Sequence, residues 1–359
     1  MKNINSKERV ISTCDHISPD KIPVDFWATD SVINRLIDFY GLKGEEELLE
    51  TLNIDFRYIS GPKYTGPSLE VLDDGSKRDI WGVPRKVDFT ETGEKYSNVT
   101  RYPLKDASTV KEIEEYSYWP SPDWFDYEVA VEQCEKYPQK AVIYSGGRLN
   151  RTSQLKAAIY LRSMEKIMED MYLNPKLLEA LLDQIRSFYL KFNEKLFEKV
   201  KGKLDIFMMG DDFGMQDSLI CKKEMWERFF RPGLEKYISL ARKYDIKIMH
   251  HSCGAIKPII PDFIEMGLDI LNPIQPEASG MNPENLKKEF GQDITFHGGL
   301  SIQETLPHGT PGEVREEVKR VFNVLGKSGG FIACTAHNIQ ADTSLENIKA
   351  LFDAYEKFR

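Results

Sequence analysis

The chain has 359 residues, 41% hydrophobic and 29% charged, which is an ordinary composition for one large globular domain or two smaller ones. Its net charge of −9 disfavours a nucleic-acid-binding role, because neutralising phosphates requires a surplus of Lys and Arg on one face. No stretch approaches the roughly 20 apolar residues of a membrane span, and the polar start from Met1 to Arg9 lacks the apolar core of a signal peptide. We therefore expect a cytoplasmic protein whose five cysteines are thiols or metal ligands.

Short apolar runs alternate with longer helical patterns along the chain. The predicted strands are Ile22 to Trp27, Ile54 to Ile59, Ala141 to Ser145, Leu204 to Gly210, Asp245 to His251, Asp269 to Leu271, Asp293 to Phe296 and Gly330 to Cys334. The predicted helices include a segment opening at Ser6, Ser31 to Leu52 broken near Gly41, Met164 to Lys201 interrupted at Asn174-Pro175, Lys222 to Tyr244 divided or kinked at Pro232, Ile259 to Met266, Pro283 to Phe290, Glu313 to Leu325 and Leu345 to Phe358.

One long stretch, Ser60 to Lys140, breaks this alternation. It is rich in Pro, Gly and aromatic residues and has no sustained helical period, although Arg78 to Phe89 has the pattern of a hairpin around Gly82-Val-Pro84. Because the stretch lacks a run of helices or strands that could build its own core, we interpret it as an elaborated insertion within a single domain spanning residues 1–359.

Eight strands, mostly followed by helices, predict an α/β fold of the (β/α)8 TIM barrel type, with the insertion placed after the second strand. An open dinucleotide-binding sheet is disfavoured because no G-x-G-x-x-G follows the first strand. In β/α barrels the chemistry lies at the carboxyl ends of the strands. Four of the six histidines, His250, His251, His297 and His337, fall at or just beyond such ends, which indicates a site at the barrel mouth.

Two thiols and one imidazole at strand ends predict a metal site. His251 and Cys253 are two residues apart at the end of the fifth strand, so both side chains can face one ion, and Cys334 ends the eighth strand. This soft ligand set suits zinc, and three protein ligands leave a tetrahedral ion with one open position, as in catalytic sites. The alternative is that these residues bind no metal and are a buried structural histidine and two unrelated cysteines. His250, pointing away from His251, is expected to pack or to support the site.

Acidic and imidazole groups near the same mouth are candidates for proton transfer. Asp211 and Asp212 follow the fourth strand and could orient substrate, protonate a leaving oxygen or approach the metal; alternatively one caps a helix or faces water. His337, three residues after Cys334, could bind substrate or donate a proton, or be an ordinary loop histidine. A further group near strand ends could line a pocket and bind substrate: Trp27, Tyr144, Arg148, Gln275 and His297.

The chain resembles the uroporphyrinogen decarboxylase superfamily over nearly its whole length. The segments that carry the resemblance are Ser6 to Arg9, Ser18 to Val24, Gly210-Asp-Asp-Phe-Gly214, His251-Ser-Cys-Gly254, Gly298-Gly299 and His337-Asn338. The resemblance implies a β/α barrel and two branches of chemistry. The decarboxylases use no metal and bind carboxylates through an arginine-rich loop near the N-terminus, whereas Phe26-Trp-Ala-Thr-Asp30 at that place contains no arginine. Zinc methyltransferases that work with corrinoid proteins carry His-x-Cys and a distant Cys, which His251, Cys253 and Cys334 match.

The resemblance therefore implies a zinc methyltransferase that works with a corrinoid (cobalamin) carried on a partner protein, because no segment here has the D-x-H-x-x-G pattern of a cobalamin module. The small-molecule methyl donor or acceptor is either a thiol that takes methyl from cobalt or a methoxylated compound that gives it, and we favour the latter. A metal-free decarboxylase or lyase and a non-catalytic barrel that binds a corrinoid protein remain alternatives. We expect no nucleic-acid or membrane partner, and the sequence leaves a homodimer open.

Overall fold

The computed structural model describes residues 4–89, 95–146 and 151–359. Helices α1 to α15 are Ser6–Cys14, Asp30–Tyr40, Glu45–Thr51, Val110–Glu114, Glu128–Glu135, Leu155–Arg162, Met164–Leu173, Pro175–Lys199, Lys223–Phe229, Arg231–Lys243, Ile260–Met266, Pro283–Phe290, Thr305–His308, Pro311–Leu325 and Leu345–Phe358. Strands β1 to β12 are Phe56–Ile59, Lys63–Tyr64, Lys77–Arg78, Pro84–Phe89, Lys95–Val99, Phe125–Asp126, Ala141–Tyr144, Ile206–Gly210, Lys247–His251, Ile270–Ile274, Thr295–Leu300 and Phe331–Thr335.

Seven of these strands form one parallel sheet in the order β1-β7-β8-β9-β10-β11-β12, with helices between successive strands. An extended segment lies between the two outer strands. Its Val24 forms a parallel bridge to Ala333 of β12, and the carbonyl of Val24 accepts a hydrogen bond from the backbone N–H of Asp55, just before β1. The predicted α/β barrel is therefore confirmed.

The first predicted strand, Ile22 to Trp27, is not a regular strand in the structure. It has an isolated bridge at Val24, and a second isolated bridge follows at Ala28, just beyond the predicted end. One reason is that part of its hydrogen bonding goes to side chains: the backbone N–H of Val24 donates to the Asp55 carboxylate at 2.9 Å. Pro23 has no N–H to contribute, although its carbonyl accepts from Ala333. The segment closes the barrel without a continuous ladder of backbone hydrogen bonds.

The insertion lies between β1 and β7, as predicted, and contains more regular structure than its sequence suggests. The strands β3, β4 and β5 form an antiparallel sheet, and the predicted turn at Gly82 joins β3 to β4 with a positive φ of 72°. Its aromatic residues pack on α8 of the barrel, with the ring of Trp81 centred 5.0 Å from that of Phe188. The sequence predicted the hairpin of β3 and β4 but not the third strand, β5, which pairs with β4.

The core follows the barrel strands. Every residue of β7, β8, β10, β11 and β12 is buried, because side chains on one face fill the barrel and those on the other face meet the helices. Polar groups inside such strands must therefore find partners within the protein. None of the described helices combines the length and apolar character that crossing a membrane requires.

Candidate functional site at the barrel mouth

Two adjacent histidines at the end of β9 point in opposite directions, as strand alternation requires. His250 is fully buried among helix and loop side chains, with its ring 5.8 Å from Phe213 and 4.8 Å from Phe263. His251 faces the barrel interior, where Trp27 lies 5.8 Å from it. His250 is thus a packing residue, and His251 belongs to the mouth.

The orientation of His251 is set by Asn272 of β10. The Nδ1 of His251 lies 2.6 Å from Asn272 Oδ1, an oxygen that can only accept, so Nδ1 carries the proton. The other ring nitrogen, Nε2, is left with its lone pair directed to the mouth. It lies 3.5 Å from Cys253 Sγ and 3.5 Å from Asp212 Oδ1.

The loops that carry Asp212 and Cys253 are held against each other by glycines. A Cβ on Gly214 would lie 2.6 Å from the carbonyl oxygen of Cys253, and one on Gly254 would lie 2.5 Å from Gly214. Gly254 also has a φ of +86°, which an L side chain rarely adopts. The backbone N–H of Cys253 donates to Asp212 Oδ1 at 3.2 Å. The two glycine motifs seen in the sequence therefore bring these loops into contact.

The two adjacent aspartates have different surroundings. Asp211 is buried, and its two carboxylate oxygens accept hydrogen bonds from the backbone N–H groups of Gln154 and Lys156 at the start of α6. Burial raises the pKa of Asp211 to about 7. Asp212 keeps 45% of its side-chain surface exposed and faces His251. Of the pair, Asp212 is the one placed at the mouth, and Asp211 caps α6.

Cys334, the third predicted metal ligand, lies in a second and deeper group. Its thiol, the Asp25 carboxylate and an imidazole nitrogen of His297 are all within 4.8 Å of one another, and all three residues are buried. The carboxylate of Asp25 accepts hydrogen bonds from His297 Nε2 at 2.9 Å and from the Tyr58 hydroxyl at 2.6 Å. The structure thus groups His251 and Cys253 with Asp212, and groups the Cys334 thiol with Asp25 and His297.

Asn272 joins the two groups. While its Oδ1 accepts from His251, its Nδ2 donates to His297 Nδ1 at 2.7 Å. Trp27 lies between the groups, with its ring 5.6 Å from that of His297, and its Nε1 donates to the Tyr58 hydroxyl at 2.7 Å. One amide therefore fixes the proton positions of both imidazoles.

Burial favours the uncharged forms of His251 and Cys253 when no cation is present. It lowers the pKa of His251 to about 4, with a further lowering by the positive charge of Arg151. Burial, reinforced by the negative charge of Asp212, raises the pKa of the Cys253 thiol to about 12. A neutral imidazole is the form that binds metals, whereas the thiol would have to lose its proton to a bound cation.

The donor set of Asp212, His251 and Cys253 fits a zinc ion. Zinc binds N, O and S ligands at about 2.0–2.3 Å, so two ligands of a tetrahedral site are roughly 3.3–3.8 Å apart. The two separations of 3.5 Å measured from His251 Nε2 agree with this. The hydrogen bond from Nδ1 to Asn272 is the support that a metal-binding histidine usually has.

The structure describes all but one of the remaining residues predicted from sequence. Gln275 accepts a hydrogen bond from the backbone N–H of Gly254 and so holds the Cys253 loop. His337 is exposed, with its ring 6.3 Å from that of His251. Tyr144 is buried, and its hydroxyl has no hydrogen-bond partner among the described residues. Arg148 lies outside the described residues. His297 has both ring nitrogens engaged inside the protein.

Four residues of the mouth were missed in the sequence: Asp25, Tyr58, Arg151 and Asn272. Asp25 and Tyr58 belong to the first two predicted strands, and Asn272 directly follows the sixth. Their position near strand ends was a usable signal, because polar residues there tend to face the mouth of a barrel. Arg151 follows no strand directly and had no such signal.

Comparisons with known proteins agree with this fold. A family model described as uroporphyrinogen decarboxylase (URO-D) matches residues 151–358. A methyltransferase from Methanosarcina mazei has a similar structure, with a TM-score of 0.68 and 19% identity over 99% of both chains. At this identity the likeness establishes the fold alone.

Two glycoside hydrolases are less similar. Xylanase 10B from Thermotoga petrophila gives a TM-score of 0.45 and 12% identity over 99% of this chain and 98% of that one. A GH113 β-1,4-mannanase gives 0.44 and 11% over 93% and 98%. Scores at this level carry no argument about the site. No curated protein matches the chain.

Proposed function

The chain belongs to the uroporphyrinogen decarboxylase family, and within that family we propose that it is a zinc-dependent methyltransferase. It would move a methyl group between a small substrate and the cobalt of a corrinoid carried by a partner protein. The observation that supports this most directly is the pair formed by His251 and Cys253. Their donor atoms are 3.5 Å apart, the imidazole is held by Asn272, and the thiol lies at a partly exposed mouth.

The proposed site has two fixed ligands, His251 and Cys253, and two alternatives for the third. Distance favours Asp212, whose Oδ1 is already 3.5 Å from His251 Nε2. The sequence pattern favours Cys334, whose thiol would have to turn from Asp25 and His297 toward the mouth. Either choice leaves one tetrahedral position for substrate.

A bound zinc ion would act as a Lewis acid toward the sulfur or oxygen of the substrate. The protein's own residues would orient that substrate and manage its proton. Trp27, in contact with His251 and partly buried, would form an apolar wall that keeps water from the reacting methyl group. His337, exposed and with its ring 6.3 Å from that of His251, would give a proton to a departing oxygen or take one from a thiol.

With a methyl ether as substrate, reduced cobalt on the partner would supply the electron pair that forms the new bond to the methyl carbon as the carbon–oxygen bond breaks. The departing oxygen would take a proton from His337, or from Asp212 if Cys334 is the third metal ligand. We favour this direction over methylation of a thiol, because Trp27 and Tyr58 give the mouth an aromatic lining near the metal ligands. Because the corrinoid must reach the methyl carbon, its carrier protein would dock over the carboxyl ends of the strands.

Metal analysis tests the ligand set. Purified protein loaded with zinc and freed of excess metal is expected to hold one zinc per chain, and Cys253→Ser is expected to hold none. Comparing Asp212→Asn with Cys334→Ser then identifies the third ligand, since only the variant that lacks it should lose metal. Wild-type protein that holds no zinc would overturn the proposal.

A cobalt assay tests the reaction itself. The zinc-loaded protein is mixed with a methoxylated aromatic compound and a reduced corrinoid protein, and the absorbance of the cobalt centre is followed. Conversion of reduced cobalt to methyl-cobalt that requires both zinc and Cys253 supports the proposal. A second arm, with methyl-cobalt and a thiol, reads the opposite direction. No zinc-dependent absorbance change in either arm, over a panel of methyl ethers and thiols, contradicts it.

A further inference from the structure

Arg85, in strand β4 of the insertion, carries a buried N–H group that no described residue satisfies. The whole residue is only 6% exposed. Its Nε donates to Asp79 Oδ2 at 2.7 Å and its Nη1 to the carbonyl of Ser97 at 3.5 Å, whereas Nη2 has no hydrogen-bond partner in the described parts of the chain. A buried donor on a charged group is costly to leave unsatisfied, so an acceptor is expected beside Nη2.

A small cavity lies beside this guanidinium, between the insertion and the barrel. Among the described residues, its lining contains two cationic side chains, Arg85 and Lys156 of α6, and no acidic one. About 10 Å³ is open to the centre of a water molecule, so the space holds one water or one monoatomic ion and is too small for an organic ligand. The neutral residues of the lining are Trp81, Ser153, Ala157, Tyr160 and Tyr189.

Arg85, Asp79 and Lys156 together carry one positive charge. The carboxylate of Asp79 is fully used, since Oδ2 accepts from Arg85 Nε and Oδ1 from two backbone N–H groups of the turn that follows it. The ammonium group of Lys156 forms no ion pair among the described residues, although its charge reaches Asp212 at longer range. A monoatomic anion would neutralise the remaining charge and accept from Nη2, whereas a water molecule would do only the second.

The guanidinium of Arg85 is held by the insertion on one side and by the barrel on the other. The ion pair with Asp79 fixes its Nε edge. Its central carbon lies 4.2 Å from the centre of the Tyr160 ring, on α6, a distance at which a cation is attracted to an aromatic face. Because both contacts restrict rotation of the side chain, Nη2 stays beside the cavity.

We propose that this cavity binds one monoatomic anion, chloride at ordinary salt concentrations, between Arg85 Nη2 and the ammonium group of Lys156. The site is independent of the proposed methyl transfer, since the cavity is too small for a substrate. The anion would connect the insertion to the first turn of α6, because each contributes one of the two cations. It would thereby help to hold in place the helix that Asp211 caps at the barrel mouth.

The melting temperature as a function of chloride concentration tests the site. Sodium chloride is compared with sodium gluconate, whose anion is too large for the cavity, at equal ionic strength. Bound chloride stabilises the folded chain by mass action, so we expect the melting temperature to rise by about 2–4 °C for each tenfold increase in chloride above the dissociation constant. Equal melting temperatures in the two salts would overturn the inference.

Two variants locate the chloride dependence. Lys156→Met removes one cation of the cavity and is expected to lose most of the dependence. Arg85→Lys keeps a charge beside Asp79 but removes Nη2, and is expected to lose it as well. The control is Lys176→Met, at an exposed position of α8, which should keep the full dependence. If Arg85→Lys does not fold, Lys156→Met decides, and an undiminished dependence in that variant overturns the inference.

Bromide identifies the occupant of the cavity. Crystals grown in sodium bromide and measured at the bromine absorption edge are expected to show an anomalous peak at hydrogen-bonding distance from Arg85 Nη2. Density without an anomalous signal would be a water molecule and would contradict the proposed anion. A bromide peak without any chloride dependence of the melting temperature would be binding at crystal concentration only, which also overturns the inference.

Discussion

Two groups of the same residue types lie side by side at the barrel mouth, and they differ in how completely their polar atoms are satisfied. Both contain an aspartate, a histidine and a cysteine. In the deeper group, Asp25 accepts from Tyr58 and His297, and His297 is engaged at both nitrogens. In the outer group, His251 keeps one nitrogen directed at the mouth, beside a partly exposed thiol.

If the proposed function holds, this difference separates a structural cluster from a binding site built of the same residue types. A buried carboxylate and imidazole that already bond each other must lose those bonds before they can bind a metal. The outer group would give up only weak contacts, at 3.5 Å, on accepting an ion. Variants in the two groups test this contrast.

Loss of the outer thiol should remove zinc binding. We expect Cys253→Ser to weaken zinc affinity by more than the roughly 10–100-fold that a change in a supporting residue causes, because a direct ligand is lost. Competition with a chromophoric chelator measures the affinity. The matched control is Cys221→Ser, which removes a comparably exposed thiol away from the site. Equal zinc affinity in the two variants would contradict the role of the outer group.

Replacing Asn272, which hydrogen-bonds both His251 and His297, should weaken zinc binding without removing it. In Asn272→Leu, His251 loses the acceptor for its Nδ1 proton and His297 loses a donor. We expect zinc affinity to fall roughly 10–100-fold, as for other residues that support a metal-binding histidine. The imidazole NMR signals of His251 should also show a mixture of tautomers. The control is Asn285→Leu, at an exposed position of α12. If both variants bind zinc as tightly as the wild type, Asn272 has no role in zinc binding.

Disturbing the deeper group should change stability and leave zinc affinity intact. In Asp25→Asn, one carboxylate oxygen becomes an NH2 group that faces the donors of Tyr58 or His297. The cost is expected to be about 1–3 kcal/mol in the free energy of unfolding, measured with urea. Asp217→Asn, at an exposed position of the mouth loop, should cost nothing measurable. A fall in zinc affinity in Asp25→Asn would place the ion in the deeper group instead.

The smallest effect is expected at His250. Both of its ring nitrogens lack hydrogen-bond partners among the described residues, so His250→Leu removes unsatisfied polar atoms while it loses ring contacts with Phe213 and Phe263. We expect these changes to nearly cancel, leaving the free energy of unfolding within about 1 kcal/mol of the wild type. Zinc affinity should be unchanged, whereas His251→Leu, one residue along, should lose it. Loss of zinc binding in His250→Leu would contradict the assignment of His250 to packing and of His251 to the metal site.

Local sequence patterns predicted the barrel and the end of it at which the mouth lies. Short apolar runs such as Ala141 to Ser145 and Leu204 to Gly210 overlap the strands of the structure, because strands buried on both faces are nearly continuous apolar segments. The i, i+2 spacing of His251 and Cys253 predicted that they share a face, and alternation predicted that His250 turns away. These are local properties, which the strand geometry of a few residues decides.

Tertiary contacts select which mouth residues meet. The sequence predicts that Cys334 shares a metal ion with His251 and Cys253, and this stays a prediction; the structure groups the Cys334 thiol with Asp25 and His297. A position at a strand end indicates that a side chain reaches the mouth of the barrel. Its neighbours there depend on how the barrel closes and on which hydrogen-bond partners are available. Asn272 hydrogen-bonds histidines on the strands at either side of it, so no spacing of residues along the chain predicts this contact.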